Sequence, residues 1–235
     1  MQIIGLAGAA RSGKDTVARH LVKAHGFQQF SFSDALYREV SEAFGVSIEF
    51  LQDHARKESP TERLGLAKCR DYEFVLVACR ILDGATGHGF ETENEKRNVF
   101  LRYLSPRWVL QTWGTEYRRA QDPDYWIARA AEWVIDRMNE AGVEVNRLKL
   151  VNTSVRYPNE AAWVRNVLLG QVWHLQRRDR PEVRAHSSEI PLPVYGNDTV
   201  IHNNGSINSL WTAVTMKLAH PNVREIAVED EETTG

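Results

Sequence analysis

A three-layer α/β/α sandwich around a mostly parallel sheet is the fold class this sequence predicts, on three observations. Apolar runs of strand character alternate with stretches of helical spacing along the chain, with no repeat and no clean linker. The first such run, Ile3-Ile4-Gly5-Leu6-Ala7, passes into a glycine-bracketed loop, Gly8-Ala9-Ala10-Arg11-Ser12-Gly13-Lys14-Asp15-Thr16, and then into a segment with helical spacing. The 235 residues are 43% hydrophobic and 26% charged, ordinary globular values that make one packed domain feasible and exclude wholesale disorder.

The loop carries the chemistry. Gly8 and Gly13 permit positive φ and close backbone approach, so that successive N–H groups and the following helix N-terminus can face an anion. Lys14 adds a mobile charge for outer phosphates. A turn made only for packing is the alternative, but strand, loop and helix agree in order, and nucleotide binding through Gly8, Ser12, Gly13, Lys14, Asp15 and Thr16 is expected. Asp15 stands where the usual pattern has the magnesium-binding Ser or Thr, and Thr16 comes one place later. Both are candidate metal ligands.

The elements follow in order. Phe27 to Phe32 alternates as a strand, and Ser33 or Asp34 is placed to cap a helix beginning Ala35-Leu36-Tyr37-Arg38. Asp34 thus reaches the carboxyl edge of the sheet, where ligands bind in open parallel sheets. Residues 45–104 read as a helical insertion or lid, with helices over 47–56 and 72–82 and a mobile excursion over 84–98. Ser105-Pro106 starts a further helix, and Gly114, costly in a helix by ~1 kcal/mol, suggests a ligand's approach or a break. Arg107, Arg118 and Arg119 bracket it, and guanidinium matches phosphoryl oxygens bidentately. Asp122-Pro123-Asp124-Tyr125-Trp126 opens a long helix through Met138, stopped by Gly142, with Trp126 a candidate for stacking on a base. Arg147 to Thr153 reads as a buried strand. Asn152 and Ser154 stand at its end, where a metal-holding carboxylate is often found, and Arg156 follows. A helix over 161–169, strands over 170–175 and 199–202, and a helix over 207–219 complete a domain of residues 1–222. Residues 223–235 read as an acidic, disordered tail. The basic stretch with Arg177, Arg178, Arg180 and Arg184 reads as a second phosphate clamp, a lid or an exposed loop.

A net charge of −2 gives no general attraction to nucleic acid and favours small phosphorylated ligands. Cys69 and Cys79 lack metal-ligand spacing and read as free thiols of a reducing compartment. No apolar run approaches the ~20 residues of a membrane span, and the first strand leaves no room for a signal peptide, so a soluble cytoplasmic protein is expected. A GTPase is disfavoured, because no Asn-Lys-x-Asp sequence is present.

Taken together, the blocks resemble the phage-type deoxynucleoside monophosphate kinases, a phosphate-loop family. The resemblance rests on residues 11–16, Phe32-Ser33-Asp34-Ala35-Leu36, Arg107 with Leu110-Gln111 and Gly114-Thr115-Glu116, and Val155-Arg156-Tyr157-Pro158-Asn159-Glu160. It continues through His186-Ser187-Ser188-Glu189 and Asn197-Asp198 to Asn203-Asn204-Gly205-Ser206. It implies transfer of the ATP γ-phosphoryl to a deoxynucleoside monophosphate, with magnesium as cofactor, a base-tolerant pocket and a homodimer. Lys14, Arg11, Arg107, Arg118, Arg119 and Arg156 are then the catalytic candidates. Asp34, Tyr37, Arg38, Arg107, Gly114, Thr115, Trp126, Asn152 and Ser154 are the substrate-binding ones. Two departures stand out: Ser154 where the family usually has Asp, and Tyr37-Arg38 where a lysine often follows. The rival expectations are a phosphate-loop kinase for another acceptor, such as a modified base in DNA or a small metabolite phosphate, and a non-catalytic nucleotide-binding module.

Overall fold

Strand β1 (Gln2–Ala7) is buried on both faces from Ile3 onward, as a central strand of a parallel sheet must be. The computed structural model describes residues 1–84, 99–178 and 191–229. In it β1 lies in a six-stranded sheet of order β2-β3-β1-β4-β5-β6, with every neighbouring pair parallel. The other strands are β2 (Gln28–Phe30), β3 (Lys149–Val155), β4 (Gln171–Gln176), β5 (Thr199–Asn203) and β6 (Glu225–Val228). Alternation along β1 sends its side chains to two different layers. Ile4 and Leu6 join Val17, Ala18 and Leu21 of α1 (Lys14–His25) and Leu210, Ala213 and Val214 of α8 (Ile207–Ala219) in one core. Gly5 faces the other way, where a Cβ would meet Val164. Val164 belongs to a π-helical turn, Trp163–Val167, that continues α7 (Pro158–Ala162). Helices on both faces make the three layers.

The chain divides into two compact units, one formed by Met1–Phe32 with Ile127–Gly235 and the other by Ser33–Trp126. The second unit contains α2 (Ser33–Phe44), α3 (Ile48–Gln52), α4 (Tyr72–Gly84), α5 (Pro106–Thr112) and a π-helical segment, Trp113–Arg119. It opens earlier and closes later than the 45–104 insertion. The helix α6 (Tyr125–Ala141) starts at its end and continues in the first unit, where Trp133 stacks on Phe30.

Several boundaries differ from the expected ones for local reasons. β2 stops at Phe30 because the Phe32 N–H donates to the Ser154 hydroxyl rather than to a strand neighbour. Ser33 and Asp34 lie inside the first turn of α2 rather than ahead of it. α3 ends at Gln52 because the Asp53 carboxylate accepts from the Ala55 N–H and turns the chain. Residues 225–228, assigned to the tail by their acidic surroundings, are strand β6, because Ile226 and Val228 alternate into the core against β5. The expected excursion over 84–98, the arginines Arg180 and Arg184, the His186–Glu189 segment and the chain end beyond 229 lie outside the described residues, apart from Gly84, the last residue of α4.

Candidate functional site

The loop between β1 and α1 has backbone that only glycine can supply at two points. Gly8 has φ 139° and Gly13 φ 107°, both in the left-handed region. A Cβ on Gly8 would lie 2.4 Å from the Leu175 carbonyl oxygen, and one on Gly13 would lie 2.5 Å from Nδ2 of Asn203. Arg11, with φ 62°, adopts a conformation that strains a side-chain-bearing residue, as functional loops tend to do. The Lys14 ammonium donates to the carbonyls of Gly8 and Ala9, each at 2.8 Å, and so bridges the loop's own turn. Ser12 is buried, and its hydroxyl lacks a partner among the described residues. Asp15 is exposed in the first turn of α1 and Thr16 is half-buried beside it. Helix N-terminus, ammonium and loop thus stand together at the end of β1.

At the same sheet edge β3 delivers Asn152 and Ser154. The Asn152 side-chain oxygen accepts from the Ser154 N–H at 2.9 Å, and its fully buried Nδ2 has no partner among the described residues. The Ser154 hydroxyl accepts from the Ser31 O–H at 2.6 Å and from the Phe32 N–H at 3.0 Å. In these contacts Ser154 joins the end of β2 to β3. Arg156 follows, exposed, with its backbone N–H held by the buried Glu160 carboxylate at 2.7 Å. Glu160 also accepts from the Tyr157 N–H at 3.1 Å, so one acid shapes the turn that presents Arg156.

The second unit places its candidates differently from expectation. Arg118 is caged: its Nε donates to Glu39 at 2.9 Å, and its guanidinium lies over the rings of Tyr117 and Tyr125 at 4.4 and 5.0 Å. Glu39 also accepts from the Trp113 indole at 2.9 Å and the Tyr125 hydroxyl at 2.6 Å, and Tyr117 donates to Asp71. Burial and the hydrogen bond to Asp71 push the Tyr117 hydroxyl up to about 12. Trp126, a candidate for stacking on a base, is 4% exposed and donates its indole N–H to the Gly114 carbonyl at 3.0 Å. A Cβ on Gly114 would stand 3.4 Å from Leu36, an ordinary contact, so packing alone does not require glycine here. Arg107 pairs with Glu58, Arg119 donates to the Pro123 carbonyl at 3.0 Å, and Arg38 reaches the Asp34 carbonyl at 3.4 Å. Asp34 is exposed, and Tyr37 and Thr115 are half-buried.

Three groups of polar residues went unnoticed in the sequence as functional material. Glu39 and Asp71 carry no motif. Asp198, within a motif but assigned no role, is buried and accepts from Nε and Nη2 of Arg165 at 2.7 and 2.6 Å, from the Tyr195 N–H, and from His174 Nε2 at 2.8 Å. Burial works to raise its pKa, but the bonds from Arg165, Tyr195 and His174 prevail and hold it below the usual carboxylate range. Asn203 is the third. Its Nδ2 donates to the Ser12 carbonyl at 2.9 Å. Both thiols are free and pushed up by burial, Cys69 to about 11.

A parallel sheet whose central strand runs into a glycine-dependent loop, a lysine and a helix N-terminus defines a nucleotide-phosphate-binding α/β protein. The chain belongs to the deoxynucleotide monophosphate kinase family, whose model matches residues 83–214, more than half of its length. It is therefore a kinase, a transferase that handles nucleotides. The phosphate loop lies outside the matched range, so its geometry is separate support. A deoxynucleoside-5′-monophosphate kinase of Escherichia phage T5 is 27% identical over 188 residues, covering 69% of this chain and 71% of that protein. Among solved structures, a dephospho-CoA kinase from Campylobacter jejuni aligns with a TM-score of 0.41 at 12% identity, over 95% of this chain and 100% of that one. No helix among the described residues is long and apolar enough to cross a membrane.

Proposed function

We propose that this protein transfers the γ-phosphoryl group of ATP to the 5′-phosphate of a deoxynucleoside monophosphate, giving the diphosphate. The observation that carries the reading is the loop from Gly8 to Lys14, whose backbone tolerates no side chain at either glycine and whose lysine reaches back across it. The name of the phage T5 relative supports the choice of acceptor. The acceptor phosphate is already ionised at neutral pH, so no general base is required, and positioning with electrostatic stabilisation carries the step. Lys14 and the α1 N-terminus hold the donor phosphates. Arg11 and Arg156, both exposed, are the leading arginines for the acceptor phosphate and the developing charge. Arg118, held by Glu39 and its aromatic cage, serves to order its own unit instead.

Magnesium fits the residues present. Mg²⁺ takes oxygen ligands and usually binds through one or two carboxylates together with substrate phosphates and water. Asp15 and Thr16 offer such oxygens at the loop, while the described residues hold no cluster of three or more His, Cys, Asp or Glu that would bind a metal by itself. Bound there with the nucleotide, the ion would neutralise charge on the β- and γ-phosphates. Asp15→Asn should raise the magnesium concentration needed for half-maximal rate, and an unchanged requirement would remove Asp15 from the metal site.

The deciding experiment measures ADP release by the purified protein with each deoxynucleoside monophosphate, with DNA and with small metabolite phosphates. Turnover with monophosphates, abolished in Lys14→Ala, is expected. Turnover only with DNA or a metabolite would reassign the acceptor, and nucleotide binding without turnover would make this a sensing module.

A further inference from the structure

The loop's shape is held by a residue outside it. Asn203 is the last residue of β5, shares the face of Ile201 by alternation, and is 6% exposed. Its amide donates to the carbonyl of Ser12, 191 residues away in sequence, at 2.9 Å. The same nitrogen occupies the space where Gly13 would carry a Cβ, 2.5 Å from it. It therefore acts on the peptide that joins Ser12 to Gly13, the point at which φ reaches 107° and the chain swings into α1. On the other side of the loop, the Leu175 carbonyl of β4 closes against Gly8, and the hydroxyl of Ser12 lies 2.8 Å from the Gly8 Cβ position. β4 and β5 thus grip the loop at its two glycines. The neighbouring Asn204 ties in more of this edge. Its side-chain oxygen accepts from the Arg178 N–H at 3.0 Å, and its own N–H donates to Val228 of β6 at 3.0 Å.

We propose that Asn203 is a positioning residue of the phosphate loop: by holding the Ser12 carbonyl and filling the space beside Gly13, it sets the loop in its anion-binding conformation before nucleotide arrives. The proposal rests on the reading of this loop as the donor-phosphate site. Its consequence is a preorganised loop, so that little binding free energy is spent on ordering it. Asparagine suits the task because its amide nitrogen donates to the Ser12 carbonyl, and aspartate would turn the same space into an acceptor facing an acceptor.

The test compares wild type, Asn203→Ala and the isosteric Asn203→Asp. Affinities for ATP and for inorganic tripolyphosphate, which probes the loop without a base, are measured by titration calorimetry, together with KM for ATP and for the acceptor. Loss of one buried hydrogen bond predicts affinity for both polyphosphates lower by about tenfold in Asn203→Ala. A larger loss is expected in Asn203→Asp, with acceptor KM unchanged in both. Thr199→Val at the other end of β5, where the buried hydroxyl has no partner among the described residues, should leave both affinities intact. Wild-type affinity for tripolyphosphate in folded Asn203 variants, or equal losses for donor and acceptor, would overturn the proposal. A second measurement needs no variant: the Asn203 side-chain amide protons of the nucleotide-free protein should exchange slowly with solvent, and rapid exchange would also overturn it. If the wild type binds no polyphosphate, it is the donor-site reading that fails, and the slow exchange still reports the clamp.

Discussion

Asp198 has almost no contact with water, yet three residues donate to it, one of them the cation Arg165, and its removal is the most damaging single change expected at the residue scale. Asp198→Ala would leave the Arg165 guanidinium, bound now through two nitrogens, without its anion in a largely buried position. Breaking such a pair from one side costs about 3–5 kcal/mol, and urea denaturation of the variant at neutral pH should show a loss of that size. The sign of the pH dependence follows from the depressed pKa. Because the folded carboxyl is harder to protonate than the unfolded one, its contribution is fully present above the unfolded value, about 3.9, and is lost as pH falls through the lower folded value. The stability of wild type should therefore fall in acid more steeply than that of Asp198→Asn, which is less stable at neutral pH. Parallel acid slopes would show that Asp198 is not a source of the dependence. None of this was legible in Arg165, His174 and Asp198 as letters, because residues 24 and 33 apart meet only once β4 and the turn before β5 are in place. The same limit applies to Arg118 and Trp126. A cation and a large ring near a glycine suit a phosphate and a base, and only packing reveals that Glu39 and the Gly114 carbonyl already occupy them.

At the scale of elements, Gly114 reads in the sequence as a ligand's approach or a break, and it lies in the π-helical segment Trp113–Arg119, where the regular helix α5 gives way. Leu36 of α2 is its neighbour, and the wider turn brings Trp113, Tyr117 and Arg118 onto one cluster with Phe74. Backbone propensity and the space beside Leu36 decide what a substitution does. Alanine in place of a helical glycine gains about 1 kcal/mol in backbone propensity, and its methyl meets Leu36 Cδ2 at ordinary contact distance. Gly114→Ala should accordingly raise stability by up to about 1 kcal/mol. Gly114→Val, which adds branches against Leu36, should destabilise by about 1–3 kcal/mol. Thermal melts of the two variants make the comparison, and equal effects would mean that Leu36 moves freely. Caps, by contrast, were readable in advance: Ser105 accepts from Trp108 N–H at 3.2 Å at the start of α5, with Pro106 behind it, as their order along the chain implies.

Across the whole molecule, the alternation of strand and helix and the position of the phosphate loop were enough to reach the layered class, since both depend on periods of a few residues. Strand order was not, because β1 neighbours β3 and β4 rather than β2, and nothing local distinguishes those choices. The chain end shows what such blindness hides. Acidic composition suggested that the fold closes near residue 222, yet β6 pairs with β5 over four residues and buries Val228. The turn before it is organised by Lys217, a buried ammonium that donates to the Pro221 and Val223 carbonyls, with burial and then Arg224 lowering its pKa. Ending the chain at residue 222 would remove the Val223 acceptor, expose the β5 edge and release the Asn204 N–H from Val228, one residue from the loop clamp. Burial of Val228 alone is worth about 1.5–3 kcal/mol, and an exposed parallel edge invites association between chains. The truncated kinase should therefore melt at lower temperature, form oligomers detectable by light scattering, and bind ATP more weakly than the full chain. Val228→Asp in the full-length protein should reproduce most of the stability loss, because it places a carboxylate in the same apolar site while leaving the chain length intact. A truncated protein with wild-type melting temperature and ATP affinity would mean that β5 can serve as the edge and that β6 is dispensable to the sheet.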